Sequence, residues 1–449
     1  MTLADGAKVA VIGGGPAGSF FAYFLLKMAE TVDLQLSVDI HEPRFFSHVG
    51  PAGCNHCGGI VSESLVQLLA VEGINLPPAV VQRGIDSYQL HMDVGSVRIE
   101  TPRFEKRIAS VFRGNGPRHA EPGEVESFDG HLLALASSIG ASVVRKLVTG
   151  IGWKDGKPQV SCNDGTATEY DLVAVASGVN SRSAQMFEAE NPDYKSPAVV
   201  KAFICEFKLG REVIAQCLGT SMHVFLLDLP RLEFAALIPK GDFATLCMLG
   251  QDVDDRLVES FLSAPEVKQC FPGSVVPPPA CYCFPRVNAQ AAGRPYADRM
   301  VWIGDCSVAR LYKDGVGSAY RTAKAAAKTA VFHGISASDF ERNFWPACRA
   351  INFDNVIARL VFTATHLIQK AGFLRRGVLR MTAQEQSMGA GRRHMSSVLW
   401  DVFTGSAPYK EVLLRSFHPE FPLMFVWNLV AGNMPFGNGR RPGRKSNER

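Results

Sequence analysis

At 449 residues, 47% of them hydrophobic and 20% charged, the chain has the make-up of a globular protein too long for one compact core. Its net charge of +4 gives no reason to expect a nucleic-acid partner. Eleven cysteines, an odd number, argue against a disulfide framework.

The N-terminus reads as a βαβ unit: the apolar strand "KVAVI", the turn "GGGPAG", the helix "SFFAYFLLKMAE" and a second strand ending at Glu42. No basic stretch with an apolar core precedes that first strand, so a secretory signal is not expected and a cytoplasmic protein is. Next comes the loop "GCNHCGG", with Cys54 and Cys57 in C-x-x-C spacing, His56 between them, and Gly58 and Gly59 directly after. On its own it reads equally as a redox dithiol, half of a metal site, or a glycine loop lying against a cofactor. "ESLVQLLAVEG" has the pattern of a short amphipathic helix, and "IDSYQLHMDVGSVRIE" alternates like antiparallel strands. A helix through Phe128 and Leu132 follows, then a meander ending in the apolar strand "YDLVAVASG".

From Val199 to about Leu249 several strand-like runs predict a second, antiparallel sheet, with "HVFLLDLPRLEFAALIPKGDFATLCMLG" the clearest. The proline-rich "PGSVVPPPACYCFP" reads as a crossing linker. "DRMVWIGDCS" is a buried strand, "SAYRTAKAAAKTAVFHG" a strong helix, and nearly everything after Ser336 is helical in pattern. These elements predict an α/β protein in three parts. The first is a discontinuous Rossmann-type dinucleotide domain over 1–84, 101–195 and 296–340. The second is an inserted antiparallel β-sheet substrate domain over 85–100 and 196–295. The third is a C-terminal helical region over 341–436, ending in a disordered basic tail at 437–449.

From Glu341 onward there are 16 Lys and Arg against 7 Asp and Glu. A basic region that also carries apolar helices points to contact with an anionic membrane surface, a solvated basic face being the plainer alternative. The longest apolar run, 421–432, falls short of the roughly 20 residues needed to span a bilayer.

Gly13, Gly15 and Gly18 form G-x-G-x-x-G straight after a strand, with Pro16 and Ala17 opening the helix. The first glycine permits the turn, the second lets backbone approach a pyrophosphate, and the third lets helix and strand pack. Glu42, 24 residues beyond Gly18, is placed to accept hydrogen bonds from a ribose. "GVGSAY" lacks the last glycine, so no second nicotinamide-binding domain is expected.

Two further segments carry a resemblance. "VWIGDCSVARLYKDGVGSAY" resembles the C-terminal FAD motif of the flavoprotein hydroxylases and geranylgeranyl reductases, with Asp305 near the phosphate and ribitol region and Gly315, Val316 and Gly317 near the isoalloxazine. "YDLVAVASGVNSRS" is similar to their D-x-V-x-x-A-x-G-x-x-S segment, at Asp171, Ala176, Gly178 and Ser181. Arg113 stands where these families often place a flavin-side arginine. Within that superfamily the chain most resembles the FAD-dependent geranylgeranyl reductases. Cys57-Gly58-Gly59 is similar to their flavin-side loop, and "LPRLEFAALIPKGD" resembles their P-x-x-Y-x-W-x-F-P segment, with Phe234 at the tyrosine, Ile238 at the phenylalanine and Pro239 at the final proline. It departs from that family at Pro230, one residue too far upstream, at Ala236 in place of tryptophan, and at Cys306 and Tyr312 in place of alanine and proline.

The resemblance implies FAD as cofactor, NAD(P)H or a ferredoxin-like protein as transient electron donor, and reduction of a carbon–carbon double bond in a hydrophobic, prenyl-like substrate. It places the substrate against Phe234, Ala236, Ile238 and Pro239. Cys57 and Tyr312 are the first candidates for catalysis, with His56 and Lys313 as further proton donors. Two alternatives stand beside it: a flavin monooxygenase, and an electron relay or redox sensor using Cys54 and Cys57. Cys281 and Cys283 would bring four thiols together with that pair, but the spacing is no known ligand pattern, and no metal is expected.

Overall fold

The computed structural model describes residues 1–54, 57–101, 108–121, 123, 125–181, 186–188, 191, 193–388 and 393–434. His56 and the tail 437–449 lie outside them.

The first strand, Ala7–Ile12, sits in the middle of a six-stranded sheet, between Leu36–His41 and Leu172–Val175. All three pair in parallel, and five of the six residues of the first strand are buried. A parallel strand covered on both faces has to be apolar throughout, which explains why "VAVI" lacks alternation. Met300–Trp302 extends the sheet beyond Leu172–Val175. One face is covered by the glycine-initiated helix Pro16–Glu30, which packs on Gly315–Phe332. Tyr320 meets Phe20 and Phe24 edge-on at 5.6 and 5.3 Å between ring centroids.

A seven-stranded sheet forms the second body. Its order is Cys281–Cys283, Phe203–Lys208, Phe243–Gly250, Leu232–Lys240, Ser221–Phe225, Ser87–Met92 and Gly95–Glu100. The hairpin at 87–100 forms as its alternation predicts, yet it joins the sheet through a parallel pairing of Ser87–Met92 with Ser221–Phe225. The sheet is therefore mixed, not purely antiparallel. Cys281–Cys283 is an edge strand paired with Phe203–Lys208 and not part of a linker. The prolines before it end at Pro279, so its backbone N–H groups are free to join the ladder.

One face of this sheet packs on Phe261 and Phe271 from the short helices beside it. The other is covered by the C-terminal helices Trp345–Lys370, Gly372–Ser387, His394–Thr404 and Tyr409–Ser416. Tyr88 of the sheet stacks on Trp400 with centroids 4.6 Å apart, a contact worth about 0.5–1.5 kcal/mol beyond the area it buries. The preceding helix Ala337–Asn343 and the start of Trp345–Lys370 instead pack Phe340, Phe344, Cys348 and Ile351 into the core of the parallel sheet. The helical region thus bridges both bodies.

Candidate functional site

At the end of the first strand Gly13 adopts φ +107°, and a Cβ there would fall 2.6 Å from the Ala176 carbonyl oxygen. A Cβ on Gly18 would fall 1.9 Å from the Gly13 carbonyl oxygen. Both glycines are therefore required by close backbone approach, as the motif predicts. Gly15 is the N-cap and Pro16 opens the helix, with no side chain capping the first turn. The N-terminal amides are left for another acceptor.

Glu42 is buried, and its carboxylate accepts from the Gly14 amide at 3.1 Å and from the Arg44 amide and side chain at 3.0 and 3.1 Å. In this structure it braces the glycine turn. Gly14, which the motif leaves unspecified, is itself constrained, because its Cβ would fall 2.8 Å from Glu42 Cβ.

The two distant glycine motifs meet. Gly304 adopts φ +67°, and a Cβ on it would stand 2.6 Å from the Ala17 methyl. Asp305 follows, facing the start of the helix Gly315–Phe332, where a Gly315 Cβ would lie 3.9 Å from its Oδ1. Burial raises the Asp305 pKa, and the nearby Arg113 opposes that shift. Val316 is buried in the core of the parallel sheet. Gly317 is held bare by Asp314, whose Oδ1 would lie 2.1 Å from a Cβ there. Gly178 has φ +68° with open space around it. Asp171 lies at the opposite end of its strand, where it accepts from the Lys8 amide at 2.9 Å and pairs with Lys157 at 2.8 Å. Its contacts serve the sheet and not the glycine turns.

The loop preceding the last of these helices is bent through two left-handed side-chain-bearing residues, Tyr312 at φ +59° and Asp314 at φ +50°. Such angles are unfavourable for bulky residues and persist only where surroundings impose them. Here a buried ion cluster does so. Asp314 pairs with Arg310 at 2.9 Å and Arg321 at 2.8 Å, and Arg310 also reaches Asp354 at 3.3 Å. Asn355 accepts from the Leu311 amide at 2.9 Å, and Tyr409 donates to the Leu311 carbonyl at 2.7 Å.

Across from these turns lies the cysteine-glycine loop. Gly59 has φ +68°, and its Cβ would collide with the Val111 carbonyl at 2.0 Å. Gly58 faces the second sheet: its Cβ would touch Ile238 at 3.5 Å and Cys247 at 3.6 Å. Cys57 Sγ accepts from the Gly59 amide at 3.4 Å and lies within electrostatic reach of Arg113 and Cys247. Cys54 lies within reach of Cys283, and Cys247 and Cys283 flank Ile204 from its two neighbouring strands. Cys57, Cys247 and Cys283 are free thiols.

Two cations border the loop. Arg113 forms a two-point ion pair with the fully buried Asp129. Despite the cost of burial, Asp129, Cys57 and Asp305 together hold its pKa above the usual arginine value. Lys240 is fully buried over the Phe112 ring, 4.9 Å from its centroid. Its ammonium has no hydrogen-bond partner among the described residues and would lie 2.8 Å from a Cβ on Gly59.

Phe234, Ala236 and Ile238 alternate onto the sheet face covered by the C-terminal helices. Pro239 does not join them. Strand alternation turns it to the other face, opposite Ala244, and its carbonyl accepts from Ser110 at 2.9 Å. Phe234 lies parallel to Phe362 at 6.2 Å and near Phe403 at 5.6 Å, while Tyr312 and Tyr409 meet Phe362 at 5.2 and 5.7 Å. An aromatic chamber results, its rings packed together in the core, with Ala236 the smallest residue on its floor. Burial pushes the Tyr312 hydroxyl up to about 12. Lys313 sits over the Tyr409 ring, 3.7 Å from its centroid, and donates to the Asp401 and Ala407 carbonyls at 2.9 and 3.2 Å; burial brings its pKa down to about 7.

Several of these residues escape a sequence reading. Asp314 had a signal, an acid one residue before a helix start. Asp354, Asn355 and Tyr409 had none, because they act from helices whose pattern reports only an apolar face.

No family model and no curated protein matches the chain. Solved structures do. A flavoprotein/dehydrogenase from Cytophaga hutchinsonii superposes with a TM-score of 0.59 at 14% identity, over 95% of this chain and 98% of that one. The flavin-dependent brominase Bmp2 gives 0.55 at 15% identity, over 94% and 93%. The halogenase PltM, in complex with phloroglucinol and FAD, gives 0.59 at 11% identity, over 95% and 91%. The chain therefore has the fold of these flavoproteins along nearly its whole length.

Proposed function

We propose that the chain binds FAD and uses it for redox chemistry on a hydrophobic substrate held in the aromatic chamber. The observation that carries this reading is the contact of Gly304 with Ala17, which joins a pyrophosphate-type turn to a second glycine motif far along the chain. The residues present fit such a group. The uncapped turn at Gly15 suits a pyrophosphate. The open space beside Gly178 leaves room for backbone to lie against a ligand. The Lys240 ammonium, within electrostatic reach of the buried Glu206 but with no hydrogen-bond acceptor among the described residues, calls for one. Glu42 and Asp305 would take the sugar side; Arg113, Lys240, Cys57–Gly59 and Gly315–Gly317 would border the ring.

When bound, FAD supplies two-electron transfer. This chain's residues supply an apolar, water-poor chamber and a place to hold a proton. Tyr312, kept protonated by burial, is the group at the chamber wall that can hold one at its Oη. With the geranylgeranyl reductase resemblance, this makes reduction of a carbon–carbon double bond the first reading. A second reading, oxygen-dependent modification of an aromatic or lipid substrate, is favoured by the likeness to proteins described as a halogenase and a brominase. Anaerobic photoreduction needs neither NAD(P)H nor a ferredoxin-like donor and separates the two. Incubating the reduced protein with lipid extract should yield products heavier by two hydrogens. Products that form only after oxygen is admitted, heavier by one oxygen or carrying a halogen, would reject the reductase reading. A purified protein that binds no flavin would reject both.

The same reading includes contact with an anionic membrane surface. The last helix, Glu420–Asn433, turns Phe421, Met424 and Phe425 inward but leaves Leu423 at 72% and Trp427 at 66% exposure, with Val426 and Val430 beside them. Phe417 extends this stripe at 71%. The sequence beyond it holds 5 Lys and Arg and 1 Glu from residue 437 on. No helix of the described residues is long and apolar enough to cross a membrane. Co-sedimentation with phosphatidylglycerol vesicles should be lost on Trp427→Ser with Leu423→Ser. Equal binding of the double variant would remove the membrane from the proposal.

A further inference from the structure

On the far side of the second sheet, away from the aromatic chamber, three side chains from separate segments converge. His91 comes from Ser87–Met92, His223 from the neighbouring strand Ser221–Phe225, and Cys270 from the turn after the short helix Pro265–Lys268. Their neighbours Leu90, Met92, Met222 and Val224 belong to the chamber-side core, so strand alternation turns both histidines outward from it. All three are buried, at 4%, 8% and 2% exposure. We propose that His91, His223 and Cys270 are ligands of a structural zinc ion.

The separations of the candidate donor atoms fit one ion. His91 Nε2 lies 3.0 Å from His223 Nδ1, and Cys270 Sγ lies 3.3 Å from His223 Nδ1 and 3.8 Å from His91 Nε2. Tetrahedral zinc, with Zn–N of about 2.05 Å and Zn–S of about 2.3 Å, sets N···N edges of about 3.3 Å and N···S edges of about 3.5 Å. Each observed edge is within about 0.4 Å of these values. The donor set, two imidazoles and a thiol, is one that suits zinc over magnesium or calcium.

The surroundings prepare the ligands. His91 Nδ1 is engaged by the Ser96 hydroxyl at 2.9 Å, which leaves Nε2 to face the cluster. His223 also hydrogen-bonds the Leu218 backbone. Such outer contacts orient metal-bound imidazoles. Burial holds both histidines neutral, their pKa values brought down to about 3 and about 4, so a nitrogen lone pair is present at neutral pH. Burial, reinforced by Cys217, pushes the Cys270 thiol up to about 12. Binding therefore forms a Zn–S bond and releases the thiol proton to solvent, with no change of oxidation state. Cys217, half-buried at the end of the helix Arg211–Cys217, lies within electrostatic reach of Cys270. The ion would fasten the hairpin strand, its parallel neighbour and the helical crossover to one another.

The test is metal analysis of the untagged full-length protein, desalted after addition of zinc sulfate. One tightly held zinc per chain is expected, lost on Cys270→Ser and on His223→Ala, with flavin content unchanged. Cobalt(II) added to the metal-stripped wild-type protein should give tetrahedral d–d absorption to the red of any flavin band. The serine variant keeps the shape of Cys270, and the cobalt spectrum needs no variant at all, so misfolding cannot hide the answer. Wild-type protein that retains substoichiometric zinc and gives only the spectrum of aqueous cobalt overturns the proposal. Zinc retained equally by the wild-type protein and both variants overturns it too.

Discussion

The contact between Gly304 and Ala17 gives the sharpest prediction. Gly304→Ala should suffer twice. At φ +67° an alanine carries left-handed strain of about 1–2 kcal/mol. Its methyl would also sit 2.6 Å from that of Ala17, where carbon contacts prefer about 3.5–4.0 Å, and relieving such an overlap costs about 1–3 kcal/mol. The single variant should therefore lose about 2–5 kcal/mol. Ala17→Gly alone should lose only about 0.5–1 kcal/mol of helix stability. In the double variant the overlap is gone while the strain remains, so the pair should show a favourable coupling of about 1–3 kcal/mol. A chain of this size need not unfold in two states, so the assay is the midpoint of the first unfolding transition, read with the ratio of flavin to protein after gel filtration. The expected order is wild type, Ala17→Gly, double variant, then Gly304→Ala. A double variant no better than Gly304→Ala would refute the reasoning, because Gly304 would then serve its dihedral angle alone.

Lys240→Met removes a buried charge without a hydrogen bond but also the cation facing the buried Glu206, so the unfolding midpoint should change little, while flavin affinity and flavin potential should both fall. A stability loss with unaltered flavin would contradict the role proposed for it. Arg113→Met should destabilise by about 3–5 kcal/mol, because the buried Asp129 loses its two-point partner, and Asp129→Asn in the same chain should recover part of that loss in a denaturation experiment. Lys313 predicts a pH effect. Its folded pKa of about 7 lies below the ordinary value of 10.5, so between these the unfolded chain holds a proton that the native one lacks, and stability rises with pH. Below pH 7 the full penalty applies. Lys313→Met should therefore stabilise more at pH 6 than at pH 9 by urea midpoint, and an equal effect at both would contradict the assignment.

The glycine turns were legible because their constraints are local in sequence. Gly13, Gly18, Gly304 and Gly317 are demanded by contacts a few ångströms away, and each sits in a run whose period and turn chemistry can be read directly. What stayed hidden depends on partners set by topology. Pro239 lay within the resembling segment, and only the pairing of its strand shows that it faces away from Ala236. Cys281 and Cys283 followed prolines and read as linker, while their pairing with Phe203–Lys208 makes them an edge strand. The triad of His91, His223 and Cys270 had no spacing to betray it, because its members come from three segments joined only by the sheet and its crossover.

The clamp on the loop before Gly315–Phe332 bears on biosynthesis. Asp354, Asn355 and Tyr409 fix the turn at Tyr312 and Asp314, and the helices that carry them also cover the apolar face of the second sheet. A ribosome must therefore pass Tyr409 before the turn can close. Until then the nascent protein carries an open glycine motif and an uncovered sheet face, apolar surface of the kind that makes a folding intermediate prone to aggregate.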